Sequence, residues 1–294
     1  MELGPCFNAG VYAISDTGLT ISQSYIHDTG LHQSADPPGN NIEIFTSTGV
    51  EVAYNFLQHG TSNMMAVQST QVNVHHNHFQ DAKGPFWRGQ SVQFNSVTGT
   101  GNRINCNLME NGDAVVAVAQ LCPPGHGFVS GCSDPEDKIS IWQSQGDPSD
   151  PIQIYYNKVL GEGRSASAAS INMIDGYGQY VDAVGNIVID GGPGGIMVST
   201  GSHTHILNNT LSGSQRSWIS YPDGPAAQVW NQYPGVACDD HTVSGNLGLW
   251  LDNTATPVPF RFGGGCTNVN ESNDNWNAPV APPIASAPIP QCSP

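Results

Sequence analysis

The sequence predicts an all-β chain wound into a stack of parallel coils. Three observations carry this expectation: a template shared by eight segments, period-two alternation of apolar residues within it, and an Asn recurring at one place. The template reads apolar, any, apolar, any, any, Asn, any, apolar. It covers 19–26 (with Ser for Asn), 50–57, 72–79, 103–109 (imperfect), 152–159, 181–188 (read as slipped by one residue), 204–211 (looser) and 241–247. Its Asn column is Ser24, Asn55, Asn77, Asn107, Asn157, Asn186, Asn209 and Asn246. A repeat of roughly 20–50 residues marks a solenoid rather than an ordinary globule. Alternation of period two marks each unit as a strand. An Asn at the same turn of successive coils can stack on its neighbours and bond backbone groups that the coil would otherwise bury unsatisfied.

A second strand family precedes the Asn strands: 11–14, 42–45, 65–68, 92–95, 139–142, 171–174, 196–199 and 228–230. Each coil therefore carries at least two strands with a Ser/Thr/Gly-rich bend between them. Coils of this kind share one continuous core, so residues 1–276 form a single domain of about eight coils at ~4.8 Å spacing. Residues 277–294 are rich in Pro and Ala and form a tail or strap. Four connections swell after an Asn strand, at 80–91, 110–138, 160–170 and 212–227. They leave from one edge of successive coils and so pile up along one side. Long loops in a compact fold are usually functional or disordered.

Composition narrows the function. With 24 acidic and 8 basic residues the net charge is −16, which disfavours nucleic acid or an anionic membrane as partner. No apolar run is long enough to span a bilayer, so no membrane insertion is expected. No signal peptide follows Met1, and the chain starts almost inside a coil, as a mature or trimmed protein would. Seven Cys are present. Cys122 and Cys132 bracket a Pro/Gly-rich loop, Cys238 and Cys266 flank the last coil, and Cys6, Cys106 and Cys292 remain over. No Cys-x-x-Cys occurs, so disulfides are favoured over a metal, with export to an extracellular or periplasmic space as the corollary.

The pattern resembles the right-handed parallel β-helix of the pectate-lyase-like superfold. The stretch Gly84 to Phe94, then Asp150 to Ile154 and Trp230-Asn231-Gln232, is similar to a bacterial group known only as right-handed β-helix repeat proteins. The resemblance covers nearly the whole chain and implies the architecture. It does not by itself imply an activity, because the superfold hosts several chemistries. The superfold includes pectate lyases, polygalacturonases, alginate epimerases and phage tailspikes, and calcium is an ion that many of its lyases use. No EF-hand loop is present to hold one.

Five of the eight basic residues (Lys83, Arg88, Lys138, Arg164, Arg216) fall in or beside the swollen connections. A cationic strip there suits a uronic-acid polymer. Elimination from such a sugar needs its carboxylate neutralised and a base to take the adjacent proton. Arg88 is the candidate clamp, and Lys83 or His78 the candidate base. His75, His76 and His78 invite a metal reading, but neighbours on one strand splay apart and three ligands from it are geometrically hard. His203 and His205 form a weaker pair of the same kind.

Asp113, Asp137 and Asp175 belong to successive coils and are candidates for paired acid–base hydrolysis. Asp239-Asp240-His241 is expected to be an exposed turn. Trp142 and Trp230 occupy outward strand positions. Together with Trp87 and Tyr177 near the loops they offer flat rings to sugar faces. Gln93, Asn95, Asn172, Gln228 and Asn231 offer neutral hydrogen bonds to hydroxyls. Neither Gly-x-Ser-x-Gly, a P-loop nor a dinucleotide fingerprint occurs. Three readings stay open: a lyase on an acidic glycan, a glycosidase using paired Asp residues, and a glycan-binding or adhesin module without catalysis.

Overall fold

The computed structural model describes residues 1–6, 8–30, 39–84, 89–111, 120–121, 132–133, 135–161, 168–214, 224–252 and 254–278. The chain is a right-handed parallel β-helix with three sheets of nine strands each. Eight coils contribute one strand to each sheet; Glu2–Leu3 precedes them in the third sheet, and a last, ninth coil adds strands to the first and second sheets only. The first sheet holds Val11–Ile14, Ile42–Phe45, Met64–Val67, Val92–Asn95, Ile139–Trp142, Ala169–Asp175, Gly194–Val198, Ala227–Trp230 and Phe260–Gly264. The second runs from Thr20–Ser22 to Thr267–Ser272, and the third from Glu2–Leu3 to Leu247–Trp250. A short parallel pair, Gln120–Leu121 with Cys132–Ser133, stands apart from them.

Alternation decides which side chains enter the tube. Val72, Val74 and Phe79 are fully buried, as are Ile152, Ile154 and Val159 one coil beyond the next. Each such side chain contributes about 1.5–3 kcal/mol relative to exposure. Segment 103–109 looked imperfect because Asn102 takes an apolar place. Its carboxamide accepts the Val72 N–H at 3.1 Å and donates to Thr98 and Gly99. Segment 181–188 is not slipped: Val181, Ala183 and Val188 all face inward, in register with Ile152 and Ile154.

The Asn column forms a continuous ladder. Asn157 donates its backbone N–H and its Nδ2 to Asn186 Oδ1, at 2.9 and 3.1 Å. Its Nδ2 also donates to Ile104 O at 2.7 Å, and its Oδ1 receives both donors of Asn107. The same scheme joins Asn55, Asn77, Asn107, Asn157, Asn186, Asn209 and Asn246. A shorter Ser ladder holds the bend after the first sheet. There Asp16 N donates to Ser47 Oγ and Ser47 N to Ser69 Oγ. Residues at the corners take left-handed backbone, Tyr54, His76, Tyr156 and Asn208 among them. At Gly185 in the same column (φ +65°), a Cβ would lie 2.5 Å from the Tyr156 ring.

A ninth coil, Phe260–Gly264 and Thr267–Ser272, closes the C-terminal end where eight coils were expected. Its strands are largely exposed, so they lack the buried apolar alternation, and Asp274 replaces the ladder Asn. The four swollen connections all run from a third-sheet strand to the next first-sheet strand, so they do leave from one corner. The connection 28–41 leaves from it as well.

Asn157→Ala removes four side-chain bonds and strands buried partners in the coils on either side. It is expected to cost roughly 3–5 kcal/mol of stability, measured by denaturant unfolding.

Candidate functional site

The outer face of the first sheet carries the constellation. Its strands pair so that outward residues align across coils. One row reads Tyr12, Glu43, Met65, Gln93, Ser140, Asn172, Met197, Gln228, Arg261. The next reads Ile14, Phe45, Val67, Asn95, Trp142, Asp175. Glu43, Gln93, Ser140 and Asn172 point away from the core, yet all are buried.

Asp175 reaches its row through a bulge. The register shifts between Ser140 and Trp142 on one strand, against Asn172 and Asp175 on the other. Met173 and Ile174 both turn inward, and Asp175 is set directly opposite Trp142. Bulges commonly re-aim a side chain next to a functional site.

Asp137 enters this face just ahead of Ile139–Trp142 and is buried with Glu136 and Lys138. Its Oδ1 accepts the Ala169 N–H at 2.6 Å, and Asn172 also bonds it. Burial pushes the Asp137 carboxyl well above the usual range, and the neighbouring charges of Glu136 and Asp175 push it further. Burial also raises Asp175, opposed by donors from the Tyr233 hydroxyl and the Gly176 N–H. Tyr233 arrives from two coils away. Its turn is held by Gln232 N to Ser199 O, Tyr233 N to Asn231 Oδ1, and Asn231 Nδ2 to Val236 O. The phenol thus lands on Asp175 Oδ1 at 2.5 Å.

Of the residues singled out from sequence, Gln93, Asn95, Trp142, Trp230, Asp137 and Asp175 belong to this face or its margin. Trp142 and Trp230 are half-buried, and Tyr177 is exposed just past the bulge. Lys83 and His78 belong elsewhere. Lys83 sits at the corner between the third and first sheets, its Nζ 3.9 Å from Asp28, and burial lowers its pKa. His78 lies on the outer face of the third sheet, stacked on Phe56 and 2.7 Å from Glu110. Lys138 is fully buried with its amine unbonded, and desolvation lowers it to about 7 against the pull of Asp81 and Glu110. Arg88, Trp87, Asp113, Arg164 and Cys122 lie outside the described residues, and so does the side chain of Cys132. Tyr233 and Asn172 as partners of the two Asp residues were not foreseen, because their pairing depends on the bulge and on a turn from another coil.

Among the described residues, the histidines other than His241 pair with acids or with each other. His75 Nδ1 meets His76 Nδ1 at 2.9 Å and its Nε2 meets Glu51. His203 pairs with Asp240, and His205 with Asp182. The expected exposed turn at 239–241 is instead part of strand Cys238–Ser244, and His241 points into the tube. There it bonds Thr204 Oγ1 at 2.8 Å and lies 3.4 Å from Cys238 Sγ.

Cys238, His241 and Cys266 are the one group of His, Cys or carboxylate ligands close enough to share a metal among the described residues. The sulfurs of Cys238 and Cys266 are joined in a disulfide, so they offer no thiolates. Cys106 is also disulfide-bonded, while Cys6 is a free thiol. Among the described residues, no third His, Cys or carboxylate side chain joins Asp137 and Asp175 closely enough to form a shared metal site. No helix among the described residues is long and apolar enough to cross a membrane.

No protein-family model matches the chain, and no curated protein is detectably similar to it.

Two outcomes follow from the end of the tube. Opening the Cys238–Cys266 bond by Cys266→Ser frees a loop of sequence separation 28. By loop entropy it is expected to cost about 3–4 kcal/mol, read by thermal unfolding. His241, buried and lowered to about 4, must charge when the chain unfolds in acid. Its contribution is present above the ordinary imidazole range and is lost as pH falls from there toward about 4. His241→Gln is expected to flatten that part of the stability–pH curve.

Proposed function

We propose that this chain is an exported, carbohydrate-active β-helix protein that hydrolyses a polysaccharide lying along the outer face of the first sheet. One observation carries the reading: Asp137, just ahead of Ile139–Trp142, is held well above the usual carboxylate range by burial and by the charges of Glu136 and Asp175, while Asp175, on the next strand of the sheet, is raised by burial but opposed by donors from the Tyr233 hydroxyl and the Gly176 N–H. Two carboxyl groups whose surroundings separate their proton affinities are the usual acid–base device of glycoside cleavage. Asp137, deep and beside Glu136, holds its proton and serves as the acid. It protonates the leaving oxygen as the glycosidic bond breaks. Asp175, where the Tyr233 hydroxyl and the Gly176 N–H oppose the effect of burial, is the readier of the two to ionise; in that form it takes the proton of the attacking water or bonds the sugar itself. Trp142 and Trp230 offer rings to sugar faces, and Asn95 and Gln228 offer bonds to hydroxyls.

The resemblance to the pectate-lyase-like superfold supports the substrate class, and the disulfide supports an oxidising compartment. The elimination reading finds less support. Its proposed bases, Lys83 and His78, sit beside Asp28 and Glu110, away from the aromatic row.

The test incubates the chain with acidic and neutral polysaccharides and follows reducing ends and ultraviolet absorbance together. New reducing ends without absorbance are expected. Asp137→Asn and Asp175→Asn should each lower the rate about 10²–10⁴-fold. An unsaturated product, or full activity in both variants, overturns the assignment. Tyr233→Phe removes a bond to the ionised form of Asp175, so its pKa rises and the acidic limb of the rate profile moves to higher pH.

A further inference from the structure

The Asn ladder obeys one rule through seven side chains. In each, Oδ1 accepts from the preceding coil, and Nδ2 donates to the carbonyl three residues before the preceding ladder residue. Those carbonyls are Ile21, Val52, Val74, Ile104, Ile154, Ala183 and Ile206. Asp274 is the eighth side chain. Its Oδ1 accepts the Asn246 N–H at 2.7 Å and the Asn246 Nδ2 at 2.8 Å, as an Asn there would. Its Oδ2 is buried and has no hydrogen-bond partner. Carboxyl and carboxamide groups are both planar, so Oδ2 stands where the other seven carry a donor. By the rule, that place faces the carbonyl of Val243.

We propose that Asp274 ends the ladder as a neutral acid, its Oδ2 carrying the proton and donating it to the Val243 carbonyl. An ionised Oδ2 would set a negative oxygen against a carbonyl oxygen in a buried place, and leave the carboxylate oxygen unsatisfied. The surroundings agree. Burial raises the carboxyl, and the nearby Glu271, itself held by Trp276 Nε1, raises it further. The two Asn246 donors pull the other way without restoring the ordinary value. The ladder therefore begins at Ser24, which needs only to donate its N–H to Asn55, and ends on a side chain that needs a proton.

The sign follows from linkage. A carboxyl raised in the fold stabilises while it is protonated. Its contribution is complete below the ordinary carboxylate range and is lost as pH rises through the raised value. The ninth coil, 260–275, is then tightest in acid. It loosens as pH rises while staying tethered through Cys266 to Cys238. His241, in the eighth coil, acts with the opposite sign, so the reading is the difference between the native chain and Asp274→Asn.

Hydrogen exchange of residues 260–275, corrected for the intrinsic pH dependence of exchange, tests this. Native protection should fall with rising pH, by up to about tenfold per unit between the ordinary Asp range and the Asp274 midpoint, and level off above it. Asp274→Asn should keep high protection throughout, and Asp274→Ala low protection throughout. Residues 152–160 should respond to none of these changes. Carbon-13 carboxyl shifts should place Asp274 above a free Asp. A midpoint at or below that of a free Asp, or matching pH profiles for the native chain and Asp274→Asn, overturns the proposal.

Discussion

The ladder of carboxamides is the constraint on which the rest depends. A three-sided coil must turn its backbone inward at a corner and bury the polar groups there. In this chain each inward corner is solved by one Asn, which accepts from the coil before it and donates to the coils on both sides. That arrangement fixes the distance between coils and the register of all three sheets together. Register in turn decides which outward residues share a row. The alignment of Asn95 with Trp142 follows from a bond scheme on the opposite side of the tube, and a local bulge adds Asp175 to their row.

Much of this was legible in the sequence because the ladder imposes a repeat. Eight strand pairs and every Asn of the column could be read from the period alone. Reading failed where the physics allows substitution. Asn102 and His241 occupy inward places that a template expects to be apolar, and each is tolerated because a neighbour satisfies it, the Val72 N–H in one case and Thr204 in the other. The ninth coil was missed because its strands face solvent and its ladder residue is Asp274 rather than Asn.

The candidate site was legible only in part, for a different reason. Strand alternation locates outward residues, so Gln93, Asn95, Trp142 and Trp230 could be assigned to one face. Alternation cannot register a bulge. The extra residue at 173–174 shifts Asp175 into the aromatic row, and the Tyr233 turn reaches it across 58 positions. Lys83 and His78 lie close in sequence to the expected loop edge, yet a corner of the coil separates them from that face. Proximity along the chain is a poor guide in a solenoid, where nearness in space follows the coil number.

The two ends of the ladder show how the same device serves structure and sets a limit. Within the tube, an Asn is neutral at every pH and its bonds are indifferent to protons. At the C-terminal end that neutrality is replaced by a titratable group, and the buried imidazole of His241 lies in the coil next to it. The Asp137–Asp175 face, by contrast, is flanked by coils whose rungs are all Asn. The rungs beneath that face thus add no proton-dependent contribution, and its pH response comes from its own carboxyl groups and from the buried Lys138 next to Asp137. A rate profile measured there reports chemistry, while the terminal coil can respond to pH without disturbing it.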